Sequence, residues 1–240
     1  MSKADAVAHL QHQISRNQLI ADRIRQLDPD LRAMLDRLQQ WQRDRLDATY
    51  ADLRGDPRYR PACEFFLDEL YGGRDVHERD RQLGRVVPVM RRFLPRHLLN
   101  AVGDAVRLQA VSLEFDLSLA EILSDRERLD QPAYAWAYRK QADWEGRADQ
   151  LDLIRQLGEL LDETVKRPMV HRLIRLMHGP ATMAGFGALQ GFLQRGLDAF
   201  AHMGPADHFL DTIEARERAA LTAMAEASDW PFEAWIGRGP

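Results

Sequence analysis

The sequence predicts an all-α fold, a multi-helix bundle, and three observations support this prediction. Apolar residues recur every three or four positions along most of the 240 residues, which is the period of an α-helix. No segment alternates apolar and polar residues between hairpin-turn signals, as a β-strand would. Glycine and proline pairs fall between the periodic segments, where they are typical of helix ends and helix starts. The chain is therefore expected to fold as successive helices joined by short connections.

The N-terminal part of the chain predicts a long antiparallel helix pair. Asp28 and Pro29 interrupt the apolar pattern, with aspartate suited to capping a helix and proline to its first position. The second helix is expected to end at Gly55. Because the connection is short, the two helices should fold back on each other. The apolar stripes consist of Val7, Leu10, Ile14, Ala21 and Ile24 in the first helix, and of Leu31, Leu35, Leu38 and Leu46 in the second.

The remaining helices are placed by the same signals. The expected segments begin at Pro57 (stopped by Gly72 and Gly73), run from His97 to Leu123, begin at Gln131, run from Leu151 to Met177 with a break at Pro168, and run from Ala181 to Met203 and from Ala206 to Ala227. Trp230 and Trp235 are expected to dock the C-terminal segment. The prediction is one domain over residues 1–240, with an N-terminal hairpin (1–54), a main bundle (57–227) and a tail (228–240).

Composition narrows the class of protein. A hydrophobic content of 45% is enough for a sizeable core. The net charge of −4, with basic residues interleaved among acidic ones, argues against general nucleic-acid binding. Cys63 is the single cysteine, so an internal disulfide is excluded. Because no apolar run approaches the roughly 20 residues of a membrane span and no secretory signal is present, a cytoplasmic protein without a membrane partner is expected.

The densest cluster of chemically active side chains lies in residues 63–80. Four of these residues are candidates for partner binding, because a helix–loop–helix would present them together and because Tyr and Arg are common anchors in interfaces. The alternative is purely structural: Gly72 and Gly73 stop a helix, and Asp75 to Glu78 form a capping box that starts the next one. The four candidates are Tyr71, Arg74, His77 and Asp80.

Three segments together carry a resemblance to a known family. They are Phe65–Gly72 (FFLDELYG) with the following Arg79 and Asp80, residues 172–181 (RLIRLMHGPA) and residues 187–193 (GALQGFL). In these segments the chain resembles a family of helical proteins from proteobacteria that is a domain of unknown function. The resemblance covers residues 59–218 and implies one domain. It implies no activity, cofactor or catalytic residue.

A glycine-rich helix with two nearby histidines is the second candidate site. Gly187 and Gly191 lie on one face of the predicted helix, and each interior glycine costs roughly 1 kcal/mol relative to alanine. Close approach of a neighbouring helix would offset that cost. A flat ligand such as a haem, with His171 or His178 beside it, would use the same space, as in haem oxygenase-like bundles. No pair of Glu-x-x-His motifs is present, so a di-iron site is not expected and no metal ligand is assigned.

These observations predict a protein-interaction or self-associating module without catalytic activity. Its partner would be another protein or a second copy of the chain. The alternative is a helical bundle, haem oxygenase-like or metal-binding, that holds a ligand or cofactor of unknown identity, either as a binding protein or as an enzyme. No catalytic residue is predicted in either case.

Overall fold

The computed structural model describes residues 2–71, 87–88, 90–92, 94–167 and 187–238. All the regular elements within these ranges are helices, which confirms the predicted all-α bundle. Their bounds are α1 Lys3–Arg25, α2 Pro29–Thr49, α3 Ala51–Gly55, α4 Arg60–Tyr71, α5 Arg96–Leu123, α6 Gln131–Gln141, α7 Trp144–Val165, α8 Gly187–Met203, α9 Asp207–Ala225 and α10 Glu233–Ile236. Among the described helices, none combines the length and the apolar character needed to cross a membrane.

The observed bounds agree with the predicted ones where a cap marks the helix end. Asp28 Oδ1 accepts a hydrogen bond from the Leu31 amide at 2.9 Å, so α2 begins at the predicted proline. The start of α7 differs from the prediction of Leu151. Asp143 Oδ1 accepts from the Gly146 amide at 2.9 Å, and this cap lets the helix begin at Trp144.

The longest helix, α5, is the central element, and α1 lies along it in a parallel orientation. Arg16 Nε donates to Glu114 Oε1 at 2.8 Å, and Arg23 Nη2 donates to Glu121 Oε1 at 2.7 Å. Each arginine pairs with a glutamate that lies 98 positions further along the chain. Because this separation is constant, the two helices run in the same direction. Gly103 allows the close approach, because a Cβ there would lie 2.6 Å from the His9 ring.

A buried polar residue of α1, Gln13, is suited to fixing the register in which this helix packs. Gln13 is buried, and its Oε1 accepts no hydrogen bond from the described residues. In paired helices a polar residue among apolar ones lowers stability but favours one alignment over shifted ones.

Helix α2 packs on α5 in the opposite direction. Arg37 of α2 donates to the Arg126 carbonyl just beyond the end of α5, while Gln42, further along α2, donates to Asp116 within α5. Helices α1 and α2 therefore run antiparallel, as predicted. They are joined through α5, on which both pack, and so the N-terminal pair belongs to the same bundle as the rest.

An aromatic cluster joins α4, α8 and α9. The rings of Phe66 and Phe200 lie 6.0 Å apart, and Phe200 lies 6.5 Å from Phe209. Gly196 of α8 faces this cluster, where a Cβ would come within 2.8 Å of the Phe65 ring. At Gly196 the glycine therefore permits close packing of α8 on α4.

Candidate functional site

Most of the candidate site residues fall outside the described part of the chain. These are Arg74, His77, Asp80, His171 and His178. Tyr71 is the last residue of α4, and its side chain likewise lies outside the described part of the structure. The structure therefore leaves both candidate surfaces as predictions.

The two candidate glycines lie at the start of α8. Gly187 is its first residue and Gly191 follows one turn later. A Cβ at Gly191 would meet the far end of the Arg195 side chain at 3.1 Å, and no other heavy atom of the described residues lies within 4 Å of it. The close helix contact at a glycine of α8 is instead observed at Gly196, beside Phe65.

Three of the five histidines within the described residues make contacts that tie helices together. His9 Nε2 pairs with Asp104 Oδ1 at 2.9 Å, His202 Nε2 lies 3.1 Å from the Pro57 carbonyl oxygen, and the His208 ring packs 5.7 Å from the ring of Tyr59. Over the described ranges, no group of three or more His, Cys, Asp or Glu side chains is arranged to hold a metal ion.

A different site emerges where the tail, residues 228–238, lies against α2 and α6. We call the surface beneath it the tail groove and define it by Trp41, Arg45, Gln131, Tyr134 and Arg139. Phe232 of the tail is 1% exposed and fills the centre of the groove. The tail groove is therefore a surface that already holds a short, largely non-helical segment.

Gln131 binds the backbone of the tail at two points. Its Oε1 accepts a hydrogen bond from the Phe232 amide at 3.1 Å, and its Nε2 donates to the Gly237 carbonyl at 2.7 Å. Gln131 is completely buried, so water does not compete for the groups that form these two hydrogen bonds. Because both bonds are made to backbone atoms, they do not depend on which side chains the bound segment carries.

An aromatic pocket surrounds the anchor. The Phe232 ring lies 6.3 Å from that of Trp41 and 6.1 Å from that of Tyr134, both in tilted arrangements. The Arg45 guanidinium carbon lies 4.4 Å from the centre of the Phe232 ring, which is a favourable cation–π distance. Phe232 is therefore surrounded by two aromatic rings and a cation, contacts that an aliphatic side chain would not make as well.

Arg45 is held in place by an ion pair beneath the groove. Its Nη1 donates to Glu217 Oε1 at 2.5 Å, and Tyr50 donates its hydroxyl to the same oxygen at 2.8 Å. Burial raises the pKa of Tyr50 above its ordinary value, and the nearby Glu217 carboxylate adds to the effect, so the phenol stays a donor. Burial likewise raises the pKa of Tyr134.

The rim of the tail groove carries a charge contact. Arg139 donates from Nη1 to the Ser228 carbonyl at 2.9 Å and from Nη2 to Asp229 Oδ1 at 2.7 Å. Asp229 is exposed, and a rim ion pair of this kind adds specificity more than affinity. The groove thus combines a backbone clamp, an aromatic anchor pocket and a basic rim.

A second buried polar cluster lies on α5. The Asp116 carboxyl accepts hydrogen bonds from Gln39 Nε2 at 3.1 Å and Gln42 Nε2 at 3.0 Å. Burial raises the pKa of Asp116, while both amide bonds and the positive charge of Arg147 oppose that increase. Arg147 stacks on the ring of Phe115 at 3.9 Å. Asp116 therefore links the stability of the bundle to pH.

Replacing Asp116 by asparagine should remove part of the pH dependence of folding. Because the folded chain raises the pKa of Asp116 above 3.8, its contribution to stability is fully present below pH 3.8 and is lost as pH rises through the folded pKa. We expect Asp116→Asn to gain stability over the wild type as pH increases from about 4 to about 7. Urea unfolding at both pH values measures the difference, and an offset between the two proteins that does not change with pH would contradict the expectation.

Sequence reasoning located the tail but not its anchor. It predicted that Trp230 and Trp235 dock the tail, and both are half-buried, while Phe232 is the residue that is fully enclosed. Gln131 reads as an ordinary first residue of a helix, because Asp130 precedes it and Pro132 follows. The available signal was Pro231 next to an aromatic residue, because proline is common at the second position of a turn, and here the turn presents Phe232 to the groove.

Comparison with known proteins yields one family match. A family model described as a domain of unknown function (DUF8198) matches residues 21–231. No curated protein and no solved structure matches the chain. The matched region includes the whole tail groove and stops at Pro231, directly before the anchor Phe232.

Proposed function

We propose that this chain, which belongs to the DUF8198 family of domains of unknown function, is a protein-interaction module that binds a linear segment in its tail groove. The observation that carries the proposal is the double hydrogen bond from Gln131 to the tail backbone, beside a pocket filled by Phe232. A surface built to hold its own tail in this way has the components that peptide-recognition grooves use.

The tail indicates the chemistry of the partner. Asp229 contacts the basic rim and Phe232 fills the pocket. Between them Pro231 begins a turn in which the Glu233 amide donates to the Trp230 carbonyl at 3.2 Å. The partner is expected to carry an aromatic side chain with a carboxylate three positions before it. In the absence of such a partner the tail occupies the same space.

The chemical state of Cys63 supports binding rather than covalent catalysis at this residue. The thiol is buried in the cluster around α4, and burial raises its pKa to about 11, with further increases from Asp52 and Glu64. Since the thiolate is the nucleophilic form, Cys63 stays unreactive at neutral pH.

Binding of a peptide in trans tests the proposal. Phe232→Ala empties the pocket, so a fluorescent peptide of residues 226–238 should bind the variant chain. The wild type should bind the same peptide at least about tenfold more weakly, because its own tail competes at the millimolar effective concentration of a short tether. Fluorescence anisotropy measures both affinities, and circular dichroism verifies that the variant remains helical.

Two controls separate groove binding from nonspecific adhesion. A peptide carrying alanine in place of Phe232 should lose the anchor, and the double variant Phe232→Ala with Gln131→Ala should lose the backbone clamp. Equal binding of the two peptides, or no binding to a folded Phe232→Ala chain, would reject the tail groove as a recognition site.

A further inference from the structure

The turn between α9 and the tail holds a strained residue. Ala227 has a φ of 67°, in the left-handed region that favours glycine. Its amide donates to the Met224 carbonyl at 3.2 Å, and the Ser228 amide donates to the Ala223 carbonyl at 2.8 Å, which is the hydrogen-bond pattern of a glycine-type helix stop. An alanine Cβ is crowded in this conformation. The folded-back tail therefore carries strain that an extended turn would release.

The tail that fills the groove could come from the same molecule or from a second copy of the chain, because the contacts would be the same. Gln131, Arg139 and the aromatic pocket all lie on α2 and α6, and the tail is covalently joined only through the turn at Ala227. If that turn opens, the tail of one copy reaches the groove of another and reforms every contact. The closed and the exchanged forms then differ chiefly in the turn and in the entropy of association.

We propose that two copies of the chain exchange tails, so that each Phe232 fills the tail groove of the other copy. Strain at Ala227 favours the exchanged dimer, since short hinges under strain promote swapping of a terminal element. This inference rests on the proposed function, because the groove must accept a tail that is not its own. It specifies a second copy as the occupant and self-association as the outcome.

A mixed-chain thiol crosslink detects the exchange directly. Both chains carry Cys63→Ser, one also carries Arg139→Cys and the other Asp229→Cys, at two positions whose native side chains meet between groove and tail. Because an arginine–aspartate pair holds its backbones further apart than a disulfide spans, a short bismaleimide is used to bridge the two thiols. After the two chains are incubated together and treated with the bismaleimide, we expect a linked heterodimer on a denaturing gel. A chain with Asp149→Cys, exposed on α7 away from the tail contacts, replaces the Arg139→Cys chain as the matched control and should give none.

Ala227→Gly tests the role of the hinge. Glycine removes the strain from the closed form, which shifts the equilibrium between the exchanged and the closed turn by about fivefold toward the closed turn. Because the dimer contains two such turns, its dissociation constant should rise by about 25-fold. Native mass spectrometry over a concentration series measures the dimer fraction, and Phe232→Ala should reduce it as well. A dimer that persists in Phe232→Ala, or one that Ala227→Gly leaves unchanged, would overturn the exchange.

The two proposals fail in different ways. If the Phe232→Ala chain binds the tail peptide, but the wild type gives no dimer and the two cysteine chains give no crosslink, exchange is wrong and the groove function stands. If the peptide does not bind and no crosslink forms, both are wrong.

Discussion

Replacing Arg45 by methionine is expected to destabilise the fold by about 3–5 kcal/mol, because it leaves the Glu217 carboxylate in a poorly solvated site without its cation. The Arg45 side chain is 6% exposed and that of Glu217 is 17% exposed, so water compensates little for the lost ion pair. Methionine is also unable to replace the cation–π contact with Phe232. Urea unfolding at neutral pH measures the loss.

The matched control removes both charges at once. Arg45→Met combined with Glu217→Leu leaves no unpaired charge, and exchanging a buried ion pair for apolar residues is often close to neutral. We therefore expect the double variant to be more stable than Arg45→Met alone, even though Tyr50 loses the acceptor of its hydroxyl. Additive losses in the double variant would show that the pair is not coupled.

Local sequence signals predicted the helices because the interactions that end a helix are themselves local. Asp130 accepts a hydrogen bond from the Ala133 amide at 3.0 Å, and proline at the following helical position is preorganised for the first turn, so α6 starts at the predicted Gln131. Likewise Tyr134 and Tyr138, one turn apart, hydrogen-bond through their hydroxyls at 3.0 Å. Such contacts need only neighbouring positions.

The pairing of helices was not predictable in the same way. The parallel contact between α1 and α5 depends on Arg16 meeting Glu114, and no local pattern connects two residues so far apart in the chain. A periodic apolar stripe shows that a helix has a buried face but does not identify the element that covers it. The sequence thus predicted α1 and α2 as a pair, and the structure adds that α5 lies against both.

The tail groove was missed because its residues are unremarkable in isolation. Arg45 is one of many arginines in the chain, and only its position beside Glu217 distinguishes it from the exposed ones. Gln131 gains its role from a carbonyl and an amide more than 100 positions away. Recognition of this kind depends on tertiary contacts, which the sequence does not show. The sequence instead indicated residues 63–80, because side chains with acidic, basic and aromatic groups are concentrated there.

Phe200→Ala should lower the stability of the whole chain by about 3–5 kcal/mol, because it opens a cavity between α4, α8 and α9. Phe200 is 0% exposed and packs edge-on against Phe66 and Phe209. We expect its urea midpoint to fall while the slope stays near that of the wild type, since the same surface is still exposed on unfolding. Phe200→Leu, which fills most of the volume, should lose less.

Phe232→Ala removes the same side chain from an equally buried position, at 1% exposure, but with a different expected result. Among the described residues, the hydrogen bonds that tie the tail to helices other than α9 all run to Gln131 and Arg139. We therefore expect the tail to undock, which limits the loss to the free energy of docking, about 2–3 kcal/mol. Hydrogen exchange should then increase in residues 233–237 and not in α8. If Phe232→Ala instead destabilises α8 as much as Phe200→Ala does, the tail is an integral part of the core. A groove that opens for a partner requires the first outcome.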